Sequence, residues 1–127
     1  MNTIPRISVI LAAATALLAV SQADAAGIRV RCEKRADRSV ISVDGKKLDA
    51  GSYAAVVRSG SNQKTSNAPL VPAVGGQAEF DFSSQLADQN TGATPIGVAF
   101  IQGGVIGQIV DSTGFVVAES TVSCRIR

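Results

Sequence analysis

Residues 28–33 read Ile-Arg-Val-Arg-Cys-Glu, and residues 122–126 read Val-Ser-Cys-Arg-Ile. In both stretches the apolar residues and the cysteine alternate with polar or charged residues, a period typical of a β-strand with one buried face. Cys32 and Cys124 are the only cysteines of the chain and lie far apart in it. In an exported protein such a pair is normally oxidised, so we expect a disulfide that joins the first and last strands; a free reactive thiol is the alternative.

The N-terminus indicates the export that this disulfide requires. A start with one positive charge (residues 1–6) precedes an apolar run (residues 7–20), and Ala23-Asp24-Ala25 supplies the small residues of a signal-peptidase site. The run is shorter than the ~20 residues of a membrane-spanning helix, so we expect no transmembrane anchor. We predict a signal peptide at residues 1–25 and one domain at residues 26–127, in the periplasm or extracellular space. An attached N-terminal helix is the alternative.

Short apolar stretches punctuated by Gly, Asp, Asn and Pro fill the remainder of the chain. Alternation predicts strands at residues 39–43, 52–58, 78–82, 105–111 and 115–126, and a nearly apolar central strand at residues 95–102. Tight hairpins are expected at Asp44-Gly45 and Gly103-Gly104, a turn at residues 111–114, a loop at residues 59–69 and one helical turn around Leu86. About seven to nine short strands favour an all-β, single-domain antiparallel β-sandwich with Greek-key connections, immunoglobulin-like in architecture but not in standard topology.

The only tyrosine of the chain occupies a six-residue pattern, Leu48-x-x-Gly51-x-Tyr53. This pattern resembles the tyrosine corner of Greek-key sandwiches, in which the phenol oxygen bonds to the backbone of the corner. The resemblance covers too little of the chain to indicate a family. An ordinary core tyrosine is the alternative.

The chain contains no histidine, which excludes Ser-His-Asp and Cys-His arrangements and removes the commonest metal ligand. Glu79 and Asp81 share one strand face, at a spacing that would suit a pair of catalytic carboxylates. Acidic residues that alternate with apolar ones are also typical of the solvent-exposed face of a strand. Four aspartates lie in or near expected turns: Asp44, Asp81, Asp88 and Asp111. Carboxylates in turns can bind calcium, but they also accept hydrogen bonds from the local backbone. We expect no enzymatic activity, and we expect no cofactor site and no nucleotide site. A small carboxylate- or metal-dependent hydrolase is one alternative function.

Charge is distributed unevenly along the chain. Residues 26–64 hold nine basic and four acidic residues, whereas residues 65–124 hold five acidic residues and no basic one. The two cysteine strands carry arginines on the face opposite the cysteines, so a disulfide should gather basic residues in one place. The candidate anion-binding residues are Arg29, Arg31, Lys34, Arg35, Arg125 and Arg127. Glu79, Asp81 or Glu119 would neutralise them if folding brought those carboxylates alongside.

If the two cysteine strands were antiparallel neighbours, Arg31 would face Arg125, which is unfavourable. The disulfide therefore spans two sheets, or the strands run parallel, or the cluster is held for an anion. The leading functional prediction is a small exported, non-catalytic binding or assembly module. Binding of polyanions or lipid headgroups through the basic strand face is the second alternative. Strand-edge pairing of the uncharged residues 97–110 with another protein is a further possible partnership, against the simpler interpretation of two core strands.

Overall fold

The computed structural model describes residues 25–127, so the predicted signal peptide lies outside the described residues except for Ala25. Its strands are β1 (Gly27–Arg35), β2 (Arg38–Lys46), β3 (Ser52–Ser59), β4 (Asn62–Thr65), β5 (Val71–Pro72), β6 (Ala78–Ser83), β7 (Thr94–Pro95), β8 (Gly104–Asp111), β9 (Val116–Ser123) and β10 (Arg125–Ile126). One short helix, α1 (Leu86–Asn90), follows β6 and confirms the helical turn expected around Leu86.

The strands form two sheets that enclose one core. The first sheet has the order β10-β1-β2-β6-β7, and the second has the order β4-β3-β8-β9 with β5 also paired to β3. Most neighbours are antiparallel, while the short pairs β1–β10 and β6–β7 are parallel. Inward-facing residues of both sheets, including Ile41, Phe82, Val57 and Ile109, are fully buried against each other. The all-β sandwich expected from the alternation is confirmed.

Gly107 lets the two sheets approach each other closely. It lies in β8 between the buried residues Val105 and Ile109, on the face toward the first sheet. A Cβ atom at this position would lie 2.5 Å from Cγ2 of Val30 in β1. The absence of a side chain therefore lets β8 approach Val30 of β1 closely at this point.

The tyrosine corner is present. The Tyr53 hydroxyl donates a hydrogen bond of 2.7 Å to the Asp49 carbonyl, and Tyr53 itself is buried. Burial raises the pKa of the Tyr53 phenol, and the carboxylates of Asp49 and Asp111 add to the effect. The bond ties the connection between the sheets to the start of β3.

The expected hairpin at Asp44-Gly45 is wrong. Both residues lie inside β2, where Gly45 is opposite Ile28 of β1 and Ala78 of β6. The glycine leaves space for Leu48, whose Cδ1 atom would lie 2.9 Å from an added Cβ. The two-residue hairpin that joins β1 to β2 is instead at residues 36–37.

The expected central strand at residues 95–102 is also wrong. Only Thr94 and Pro95 pair, and residues 96–103 form an irregular segment whose apolar side chains Ile96, Phe100 and Ile101 are buried. Polar side chains supply the hydrogen bonds that a ladder would have supplied, because buried backbone groups need partners. The side chains that bond this segment are Ser39, Ser59 and Asn62.

The Gly103-Gly104 hairpin fails with that strand, because no strand precedes it. The strand expected at residues 105–111 is present as β8, which lies inside the second sheet between β3 and β9, so the interpretation as a core strand applies to it and residues 104–110 form no sheet edge. Residues 62–65, expected in a loop, form β4 through a tight turn after β3. The turn after β8 is confirmed: the Asp111 carboxylate accepts the Thr113 and Phe115 amides.

Candidate functional site

The disulfide between Cys32 and Cys124 is formed, with a Cα–Cα distance of 4.8 Å. Cys32 lies in β1, while Cys124 is the one residue between β9 in the second sheet and β10 in the first. The last expected strand therefore divides at Cys124, where the chain passes from one sheet to the other. The bond joins the two sheets, and β10 runs parallel to β1, so two of the three arrangements considered from the sequence occur together.

This crossing places Arg125 directly opposite Glu33 rather than Arg31. Strand alternation puts Arg29, Arg31 and Glu33 on the outer face of the first sheet, so β10 adds its arginines to that face. Lys34 points to the other face, and its Nζ atom donates to the Arg35 carbonyl at 2.7 Å. We call the six candidate residues the basic corner: Arg29, Arg31, Lys34, Arg35, Arg125 and Arg127.

Glu33 is the central carboxylate of the basic corner. Its Oε1 atom lies 2.9 Å from Nε of Arg35, and its Oε2 atom lies 3.1 Å from Nε of Arg127. These side chains are partly exposed, so each pair contributes little to stability, typically below about 1 kcal/mol. The pairs nevertheless hold the C-terminal residue against β1, where the Arg127 amide also donates to the Lys34 carbonyl at 2.9 Å.

Arg31 connects the basic corner to the acidic strands. Its Nη2 atom lies 3.3 Å from Oδ2 of Asp44 and 3.5 Å from the Ser42 hydroxyl. The Ser42 hydroxyl in turn donates to Oδ1 of Asp81 at 3.2 Å. Basic residues on β10 and β1 therefore face acidic residues on β2 and β6 across one sheet surface.

Of the six cations, only three form ion pairs within residues 25–127, and these share two carboxylates. Arg29, Lys34 and Arg125 have no such pair among the described residues. Beside Arg125 the surface forms an open depression of about 430 Å³. Its lining residues are Arg31, Cys32, Glu33, Val40, Ser42 and Arg125. An anionic group placed there would find the guanidinium groups of Arg125 and Arg31 as donors, with the Glu33 carboxylate, already paired with Arg35 and Arg127, beside them.

The carboxylates named from the sequence as possible neutralising partners do not pair with these cations. Asp81 approaches only through Ser42, and Glu119 accepts instead from Nε2 of Gln108 at 2.5 Å. Sequence reasoning missed Glu33 and Asp44 as partners. The alternation that placed Arg29 and Arg31 outward also places Glu33 outward, and that signal was sufficient to find it.

The candidate catalytic and metal-binding carboxylates are spread over the fold. Glu79 and Asp81 are exposed on the outer face of β6, and Asp88 in α1 accepts the Ser83 hydroxyl at 2.7 Å. Asp111 belongs to the other sheet, and the Thr113 hydroxyl, 2.6 Å away, holds the pKa of its carboxyl below the usual 3.8. Within residues 25–127, no three His, Cys, Asp or Glu side chains are grouped so that they could hold a metal ion.

No helix among residues 25–127 has the length and hydropathy needed to cross a membrane. The chain matches no protein-family model, and comparisons with curated proteins and with solved structures give no significant match.

Proposed function

We propose that this chain is a non-catalytic binding module that acts after export, and that the basic corner is its surface for anionic ligands. The two-sheet fold serves as an immunoglobulin-like scaffold that holds the surface in shape. The periplasm or extracellular space is the compartment in which the Cys32–Cys124 bond persists.

The observation that carries the proposal is the imbalance of charge around the disulfide. Five of the six cations, all except Lys34, lie on the outer face of the first sheet, while only Glu33 and Asp44 pair with them among the described residues. Unpaired guanidinium groups on a rigid surface attract anions, and they bind carboxylate, sulfate and phosphate oxygens through paired N–H donors. Arg29 and Arg125 are the two arginines of the basic corner that form no ion pair within residues 25–127, and both are exposed, so they should contribute most to binding.

Retention on a heparin column tests the proposal. Native protein should elute at a higher salt concentration than the double variant Arg29→Ala with Arg125→Ala, because screening weakens contacts between exposed charges. The matched control is Lys46→Ala with Lys64→Ala, which removes the same charge from exposed positions without an ion pair among residues 25–127. The control should elute close to the native protein.

Equal, weak retention of the native protein and the arginine variant would contradict the proposal. The basic corner would then be a solvated surface whose charges discourage edge-to-edge association of strands. Equal losses for the arginine variant and the lysine control would show that retention follows net charge and not the basic corner.

A further inference from the structure

One row of residues crosses the end of the first sheet where β1 turns into β2. Ile126 of β10 is opposite Lys34 of β1, and Lys34 is opposite Ser39 of β2. The Ser39 hydroxyl donates to the Val98 carbonyl at 2.6 Å, and the Ser39 amide donates to the Ser84 hydroxyl at 3.0 Å. The C-terminal strand, the irregular segment and the start of the α1 region therefore meet at the same end of the sandwich.

Each of these three segments exposes an aliphatic side chain. Ile126 is 68% exposed, Leu86 is 70% exposed and Val98 is 42% exposed. Leu86 lies two residues after Ser84, so all three residues lie at the end of the sandwich that the row from Ile126 to Ser39 crosses. Exposed aliphatic residues that share one end of a fold with charged residues are a feature of interaction surfaces.

The same end carries most of the basic corner. Its cations are Lys34, Arg35, Arg38, Arg125 and Arg127, and its carboxylates are Glu33, Asp37 and Asp88. Glu33 is paired with Arg35 and Arg127, Asp37 lies 3.8 Å from Arg38, and Asp88 accepts the Ser83 hydroxyl. The side chains of this end thus combine a net positive charge with exposed aliphatic groups.

We propose that this end of the sandwich docks on an anionic lipid surface. The cations contact lipid phosphate groups, while Ile126, Leu86 and Val98 enter the boundary between headgroups and acyl chains. Peripheral binding of this kind scales with the buried apolar area plus the attraction to anionic headgroups. A soluble polyanion engages only the cations. The inference rests on the proposed function, since it names the ligand of the same basic corner.

Co-sedimentation with vesicles of equimolar phosphatidylglycerol and phosphatidylcholine tests the inference, with pure phosphatidylcholine vesicles as the uncharged comparison. Native protein should bind the anionic vesicles, and each arginine contributes about fivefold to partitioning. The triple variant Leu86→Ser, Val98→Ser, Ile126→Ser should bind them at least about tenfold more weakly, because serine gains little from entering the interface. Its elution from heparin should match that of the native protein.

Val74→Ser is the matched control, because Val74 is 77% exposed in the turn before β6, at the opposite end of the sandwich. It should bind vesicles like the native protein. If the triple variant unfolds, the single variant Ile126→Ser repeats the test, because it changes only the two-residue strand β10. Ile126→Ser should bind the anionic vesicles severalfold more weakly than the native protein.

The outcomes separate the two proposals. Vesicle binding that the serine substitutions leave unchanged would overturn lipid docking. Retention on heparin without vesicle binding would also overturn it, while the proposed anion-binding function would stand. Failure of the native protein to bind either material would overturn both.

Discussion

The buried hydroxyl of Ser39 lies 2.6 Å from the carbonyl oxygen of Val98 and donates a hydrogen bond to it. The same hydroxyl oxygen accepts the Ile101 amide at 3.5 Å. One serine of the first sheet thus bonds two backbone groups of an irregular segment that closes the end of the core. Ser39 thereby stabilises an apolar segment that no β-ladder holds.

Replacing Ser39 by alanine should lower the free energy of unfolding by about 1–3 kcal/mol, since the Val98 carbonyl loses its donor and the buried Ile101 amide loses its acceptor. Chemical denaturation followed by circular dichroism measures the loss. Ser61→Ala is the control, because Ser61 is exposed in the turn between β3 and β4 and should be nearly neutral. A neutral Ser39→Ala variant would show that the bond contributes nothing net.

Loss of the disulfide should cost far more. The bond closes a separation of 92 residues, so the entropic model predicts that the double variant Cys32→Ala with Cys124→Ala unfolds about 4–5 kcal/mol more easily. Denaturation of native protein with and without a reductant should show a similar difference. Intact mass after alkylation under denaturing conditions checks the bond itself: modification of either cysteine before reduction would contradict it.

Adding a methyl group at Gly107 should separate the sheets. The new Cβ would lie 2.5 Å from Cγ2 of Val30, a stiff β-branched side chain, so Gly107→Ala should lower stability by about 1–3 kcal/mol. Gly97→Ala is the control, because no heavy atom beyond Gly97 and its two chain neighbours lies within 4 Å of its Cβ position. Adding Val30→Ala to Gly107→Ala should restore part of the loss, and a further additive loss would refute the steric explanation.

Asp111 makes stability depend on acid pH. Hydrogen bonds from the Thr113 hydroxyl and the Phe115 and Thr113 amides lower its folded pKa, against a smaller opposing effect of burial. A lowered folded pKa means that the carboxylate stabilises the fold above pH 3.8, and that this contribution is lost as the pH falls through the folded pKa. Between neutral pH and that point, stability should fall more steeply for native protein than for Asp111→Asn. Titration of the Asp111 carboxyl by NMR at 3.8 or above would contradict the assignment.

Local signals were sufficient for several parts of the fold. The alternation around Cys32 predicts β1 because only one face of this strand packs against the core between the sheets. The spacing from Leu48 to Tyr53 predicts the tyrosine corner, since the bond to Asp49 closes within five residues. Strand alternation and the tyrosine corner depend on residues that are close together in the sequence, so a local stretch of sequence is enough to predict them.

Other signals were overridden by tertiary contacts. The apolar composition of residues 95–102 suits a buried strand, yet Ser39 and Ser59 satisfy this backbone from distant parts of the chain. Asp44-Gly45 suits a hairpin, yet β1 and β6 pair with both edges of β2 at this point. Composition reports that a segment is buried, and it does not report which groups will bond its backbone.

The sequence by itself determined that Cys32 and Cys124 pair and that Arg29 and Arg31 face away from the core, because both follow from composition and a period of two. Only the tertiary structure decided that the chain changes sheets at Cys124 and that Arg125 lies beside Glu33. That choice depends on which sheet edge is open to the last residues once the remainder has folded. The carboxylate partners of the basic corner therefore follow from strand order, a property of the whole chain that no local pattern encodes.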